Sequence, residues 1–441
     1  MKSRPRKGPD CEIAAPKSMD RPIDAVAAID VTTWKGAIRF AWLEHRIWLL
    51  FIAFYIAAVY LLQRALNIKG MMDLLLYFPL AILALFLCLS LWFIPYGIKW
   101  MIHGHRQGSL LRPMWADIRS RYLSPLSLTG FLIVFLGMIV FNSAICSMKQ
   151  SIPMIQPFVW DVRFMEWDRA LHGGRHPWEL LQPILGWPFV TSILGWFYHR
   201  AWFLMNFGVI LWQAFGRDRL VRMQFLWSFY LMWVLLGTAA AIGFSSGGPC
   251  YYERITGLED PFRPLMAYLN EVAQQFPFIG IDEQEAVWRM YQAGRRHIIA
   301  GISAMPSLHV ATAVLGAILG WKTNRWLGIA LTMFAVITQV GSVHFGWHYA
   351  VDGYLAAAAI GPIWLFSGWI TRRINTNALN KVSLRGVPAC GRQEMTKRSR
   401  TLTGQIATLP LLTLMTMLKE MSIILELINR LKYTRYKASR L

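Results

Sequence analysis

The sequence predicts an all-α, polytopic membrane protein with about eight transmembrane helices around an embedded helical core. Three observations predict it. The 441 residues are 55% hydrophobic and only 16% charged, too apolar for a water-soluble chain of this length. Apolar runs recur along the chain between short polar segments. The formal net charge of +21 is gathered in those short segments and in the two ends rather than along one face. That distribution follows the cytoplasmic bias of Lys and Arg and their attraction to anionic headgroups. It argues against nucleic acid as a partner.

Residues 1–38 read as a basic cytoplasmic tail. MKSRPRKGPD has no apolar core or small-residue cleavage site beside it, so the first apolar run is expected to act as an uncleaved membrane signal. Residues 39–148 are expected to form N-terminal transmembrane helices, with spans at 47–62, 74–96 and 126–146 and a basic segment at 99–121. Residues 149–371 form the next unit. It opens on a loop, 149–188, whose WDVRFMEWDRALHGGRHPW is expected to lie at the interface, Trp at headgroup depth and charges outward. Spans follow at 189–215, carrying His199 and Arg200, and at 225–244. The connection 245–304 is far longer than a turn needs, which marks it as functional or disordered. The last spans are 307–321, 326–342 and 348–370, the first of them short and expected to start unwound or sunk in protein. Residues 372–441 read as a basic cytoplasmic tail with an amphipathic helix over 406–431, where Lys419, Glu420 and Glu426 oppose a ninth span.

With the N-terminus inside, eight crossings put the basic segments 99–121, 217–222, 322–325 and the final tail inside. The polar clusters at 303–309 and 342–352 then share the outer face. The five cysteines are scattered without metal-ligand spacing. Cys146 and Cys250 both fall near that face; a disulfide is open to them, and two free buried thiols are the expected state.

The two polar clusters carry the candidate chemistry. His348 and Asp352 are four residues apart, which on a helix places them on one face, the carboxylate holding one ring nitrogen so that the other meets a substrate. His309 opens the preceding span pair on the same side. A histidine nucleophile, an aspartate that orients it and a second histidine as acid suffice for phosphoryl transfer with no cofactor or metal. Arg295 and Arg296 are candidates to hold phosphate oxygens, as is Ser307 with the N–H groups of a helix start. Other readings stand beside this one. His344, His348 and Asp352 form an i, i+4, i+8 ladder that with His309 is a candidate divalent-metal site. The arginines also suit headgroup anchoring. A transporter would use intramembrane polar groups too, but would spread them along span centres, whereas these sit at span ends.

SAMPSLHVA at 303–311, followed about forty residues later by HYAVD at 348–352, resembles the type 2 phosphatidic acid phosphatase superfamily. The PSLH and HYxxD forms are most similar to its inositol phosphorylceramide synthase (inositolphosphotransferase) branch. The resemblance covers about 160–370. It implies a metal-independent phosphohistidine mechanism on a phospholipid or lipid phosphate, with His309 as general acid, His348 as nucleophile and Asp352 as its partner. The two departures concern phosphate binding. Gly341 and Ser342 stand where phosphatase members carry Ser-Arg, which favours the inositolphosphotransferase branch. The upstream Lys-x6-Arg-Pro is broken, with Thr256 in the lysine's place before Arg263-Pro264, so Arg254 and Arg263 join the phosphate-binding candidates. The expected setting is the extracytoplasmic face of a bacterial inner membrane.

Overall fold

The computed structural model describes residues 29–68, 73–104, 111–216, 218–276, 280–294, 301–378 and 384–385. Arg295, Arg296 and the amphipathic helix expected over 406–431 lie outside the described residues.

The chain is all-α. Its first long helix, α1 (Trp34–Ala65), starts earlier than the apolar run because Thr33 caps it, the side chain accepting from Gly36 N. The cytoplasmic tail expected over 1–38 therefore ends in structure, with Ile29 and Val31 buried and Ile29–Asp30 paired to Leu384–Arg385 in a two-residue parallel ladder. Helices α2 (Phe78–Gly104) and α3 (Leu111–Arg121) follow. Ser124 caps α4 (Pro125–Ile155), with proline at its first position, where a missing N–H costs nothing. The expected span 126–146 is thus extended by more than two turns.

The segment expected to lie as a surface loop contains α5 (Asp161–Leu171) and α6 (Pro177–Leu185). Its charges do not all point outward. Arg163, Glu166 and Arg169 are exposed, but Asp161 and Asp168 are buried, because backbone N–H groups of other segments need their carboxylates. Next, α7 (Pro188–Gly195) runs through a π-helical turn, Trp196–Ala201, into α8 (Trp202–Ala214). Asp218 caps α9 (Arg219–Val234), which continues through a second π turn, Leu235–Ala240, into α10 (Ala241–Gly243). The long connection carries a 3-10 turn, Pro249–Tyr251, then α11 (Tyr252–Thr256), α12 (Arg263–Gln275) and α13 (Ile281–Gln292). The bundle closes with α14 (Leu308–Thr323), α15 (Arg325–His344) and α16 (Ala350–Ala378).

Among the described residues, five helices are long and apolar enough to cross a membrane, or six if the pair Pro177–Leu185 and Pro188–Ala214, bent by 112°, is one span. Phe78–Leu91 and Leu308–Thr323 are shorter apolar helices, so all eight expected spans fall on helices but not all at full bilayer length. One core joins most of them, running from Trp48 and Ile52 on α1 through Met138 and Phe141 on α4 and Tyr230 on α9 to Leu315 and Ile360, while Ile337 and Val340 of α15 pack against a second cluster around Leu265, Leu269 and Phe345. Exposed Phe54, Leu61, Phe86 and Trp369 give the outside an apolar surface suited to lipid.

At one end, Glu44 on α1 is buried and paired with Arg219 at 2.6 Å and with Arg222 on α9. A carboxylate there is tolerable only with such partners. Cys146 and Cys250 are free, Cys146 buried and Cys250 half-buried, and no disulfide joins them.

Candidate active site

Two turns meet at the other end of the bundle. Ser307 caps α14, its Oγ accepting from Val310 N at 3.5 Å, and its own N–H donates to the Asp352 carbonyl at 3.1 Å. That backbone bond joins the two motifs, which the helical hairpin α14–α15 has already brought back to the same end. Ser307 is wholly buried in this role.

His309 lies in the first turn of α14. Its imidazole is stacked between Trp202, with centroids 3.9 Å apart, and Tyr198, at 4.8 Å. The Trp202 indole N–H also donates to the His309 carbonyl at 3.1 Å and to Thr312 Oγ1 at 2.9 Å. Tyr198 sits in the π turn that leads to Trp202, an irregularity common at functional sites.

His348 is not on a helix. α15 ends at His344, and Gly346 at φ +67° reverses the chain, a conformation open to glycine. His348 N–H then donates to the Ser342 carbonyl at 3.1 Å, and α16 starts two residues later. His348 Nδ1 lies 3.2 Å from Asp352 Oδ2, which also accepts Tyr349 N–H at 3.1 Å. The pair expected from helical spacing is present, but a capping turn makes it: Asp352 reaches back from the first turn of α16 as the acid of a capping box does. His348 is 7% exposed and Asp352 0%. The His309 and His348 rings are 6.2 Å apart, centre to centre.

The candidate metal ladder is not assembled. The break at Gly346 turns His344 away from His348, and its Nε2 instead meets Thr191 Oγ1 at 2.9 Å, which in turn meets the Tyr268 hydroxyl at 2.8 Å. Among the described residues no three His, Cys, Asp or Glu side chains converge to hold a metal.

Burial and the ammonium of Lys149 push the His348 imidazole well below its ordinary pKa, while the Ala304 carbonyl beside it pulls the other way. Lys149 comes from another helix. It sits near the end of α4, against Gly301, where an added Cβ would meet Lys149 Cγ at 3.2 Å. This is the residue missed in the sequence, where it stood as the first residue of a loop. Lys149 is followed after six residues by Gln156-Pro157, so the upstream motif, sought around Thr256 and Arg263-Pro264, has a second partial match here with glutamine in place of arginine.

The described candidate arginines have other partners. Arg254 is paired with Glu285 at 2.9 Å and lies over the Trp288 ring at 5.4 Å. Arg263 is paired with Glu253 at 2.9 Å and is 67% exposed. Of the described phosphate-binding candidates, only Ser307 lies within the turns that carry His309 and His348.

Residues 162–365 match the family model of the PAP2 superfamily. The match makes this part of the chain similar to a superfamily of phosphatases and phosphotransferases; it does not reach the inositolphosphotransferase branch. Comparison with curated proteins and with solved structures gives no match.

Proposed function

We propose that this chain transfers a phosphate or phospho-headgroup from a lipid through a phosphohistidine on His348, in the manner of an inositolphosphotransferase. The observation that carries the reading is the placing of two histidine rings from separate turns 6.2 Å apart, one of them held at Nδ1 by a buried aspartate. A phosphoryl group between them has its attacking and leaving atoms on opposite sides of phosphorus.

In the first half-reaction, the Nε2 lone pair of His348 attacks phosphorus. An N–P bond forms, the P–O bond to the leaving group breaks, and His309 gives its proton to the departing oxygen. In the second, the hydroxyl of an acceptor attacks the phosphohistidine while His309 takes its proton. An O–P bond forms and the N–P bond breaks, which frees His348. Asp352 keeps the Nδ1 proton in place throughout, so that Nε2 presents its lone pair. Lys149 supplies the positive charge for the phosphoryl oxygens, a charge-assisted contact strongest at low dielectric. With water as acceptor the same steps make a lipid phosphatase, the alternative reading. Gly341 and Ser342, in place of the Ser-Arg of phosphatases, support transfer to an alcohol. The basic turn 322–325, at the far end of α14 from His309, supports a site on the extracytoplasmic face, periplasmic if the membrane is a bacterial inner one.

The test uses purified protein with lipid-phosphate donors radiolabelled in the headgroup phosphate, phosphatidylinositol among them, with and without ceramide or diacylglycerol. Transfer of label to the lipid acceptor is the expected result. Free phosphate regardless of acceptor would establish the phosphatase instead, and no turnover of any donor would sink both.

Lys149→Met gives a second check. Losing a charged contact to phosphate raises the KM for donor by about ten- to a hundredfold. The pH profile moves as well. His348 attacks only when neutral, so activity is present above its folded pKa and lost as the pH falls through it. With that pKa lowered, the wild-type acid limb lies well below 6.5, and removing the Lys149 charge moves the limb upward. An unmoved limb with an unchanged KM would remove Lys149 from the site.

A further inference from the structure

The turn that carries His348 is held from outside by the acids of α5. Asp168, 2% exposed, accepts Ala350 N–H at 2.7 Å on one carboxylate oxygen and Val351 N–H at 2.9 Å on the other. Asp161, 1% exposed, accepts Gly247 N–H at 3.0 Å and Gly248 N–H at 2.9 Å, and the Tyr349 hydroxyl at 3.0 Å. Every residue from Tyr349 to Asp352 is thereby fixed: Tyr349 N–H by Asp352 Oδ2, Ala350 and Val351 by Asp168, and Asp352 N–H by the Tyr349 carbonyl at 3.2 Å.

The first N–H groups of a helix have no partner inside it and must find one. In α16 the nearest acceptor within the helix is Asp352 itself, which also has to hold His348 Nδ1. The two demands compete. With Asp168 supplying an external carboxylate to Ala350 and Val351, Asp352 Oδ2 is left for Tyr349 N–H and the imidazole. Without it, the Asp352 carboxylate is drawn toward the orphan N–H groups and away from His348. Asp161 acts on the same turn through the Tyr349 ring, which is packed among Phe164 and Phe262 and cannot swing freely.

We infer that Asp168, supported by Asp161, is a positioning residue for the nucleophile: it caps α16 from α5 and so reserves Asp352 for His348. The inference rests on the assignment of His348 as nucleophile. It gives the WDVRFMEWDRAL segment a part in the reaction beyond anchoring at a membrane surface. Neither acid touches the reacting atoms.

The experiment compares Asp168→Asn, nearly isosteric and still offering one oxygen, with Asp168→Ala and with Glu166→Gln, which removes an exposed acid from the same helix. The expected result for Asp168→Asn is a kcat about a hundredfold lower, the cost of a small misplacement of a reacting group, with the donor KM changed less than about threefold. Vanadate, which reports the transition-state geometry at the imidazole, should bind more weakly by a similar factor. Glu166→Gln should keep wild-type kinetics. Where Asp168→Ala fails to fold, Asp168→Asn carries the test. A kcat within about threefold of wild type in Asp168→Asn, or a loss confined to KM, would overturn the inference. Carbethoxylation of His348 by diethyl pyrocarbonate, followed by mass spectrometry, separates this outcome from failure of the functional reading, because it needs no turnover. A slower reaction at His348 in Asp168→Asn than in wild type supports the positioning even in a protein that turns over no donor tried, and an unchanged rate overturns it.

Discussion

His348→Ala removes all turnover and all phosphorylated protein. The variant lacks the atom that takes phosphorus in the proposed mechanism, and among the described residues no second histidine stands in the same place: His309 is clamped between Trp202 and Tyr198, and His344 is bound to Thr191. The loss should be at least on the order of ten-thousandfold, with donor binding retained, since the phosphate contact proposed for Lys149 and the apolar surroundings are untouched. Replacing His309 has a different signature. His309→Ala removes the proposed proton donor but leaves the proposed nucleophile, so its defect should shrink as the leaving group becomes more acidic and needs less protonation. An activated phenyl phosphate ester as donor makes the comparison. His309→Ala recovers much of its first step with that donor and accumulates phosphoprotein, whereas His348→Ala recovers nothing. Full activity in His348→Ala would remove the proposed nucleophile. Recovery of both variants by the activated ester would mean that another group takes the phosphoryl.

The fold class and the two histidine motifs were legible in the sequence for a simple reason. Apolar runs and their basic separators follow from the cost of placing polar groups in lipid, and polar clusters at span ends stand out against that background. What was hidden depended on where helices stop. α4 continues to Ile155, so Lys149, which follows the apolar run, stays on the helix and packs against Gly301 instead of running out into a loop. α15 stops at His344, so a ladder of acids and histidines drawn with helical spacing through Gly346 has no physical counterpart. Asp161 and Asp168 looked like surface charge because burial of an acid depends on N–H groups from 247–248 and 350–351, which are far away in sequence. The His348–Asp352 pair was found by its spacing, but the spacing is realised in a capping turn.

That turn sets the outcome for Asp352→Asn. Asparagine has the same shape but only one oxygen, and Asp352 Oδ2 has two hydrogen-bonded neighbours: Tyr349 N–H at 3.1 Å, always a donor, and His348 Nδ1 at 3.2 Å. The amide oxygen goes where a donor is obligatory, to Tyr349, which keeps the start of α16 capped. His348 Nδ1 shares that same oxygen and Oδ1 has no hydrogen-bond partner, so the amide oxygen keeps both bonds while the amide nitrogen takes the unpartnered place. What is lost is the negative charge beside the imidazole, which in the proposed mechanism stabilises the positive charge His348 gains as Nε2 attacks phosphorus. The rate should fall on the order of a thousandfold or more, as in other His–Asp pairs that lose the carboxylate. Stability should fall little, because the cap survives; Asp352→Ala, which loses the cap as well, should be less stable by about 1 kcal/mol. Steady-state rates and thermal unfolding of the two variants in detergent separate these effects. A large loss of rate in Asp352→Asn with an almost unchanged unfolding midpoint is the mark of a residue whose charge serves the imidazole. A rate within about tenfold of wild type would leave Asp352 as a helix cap and nothing more.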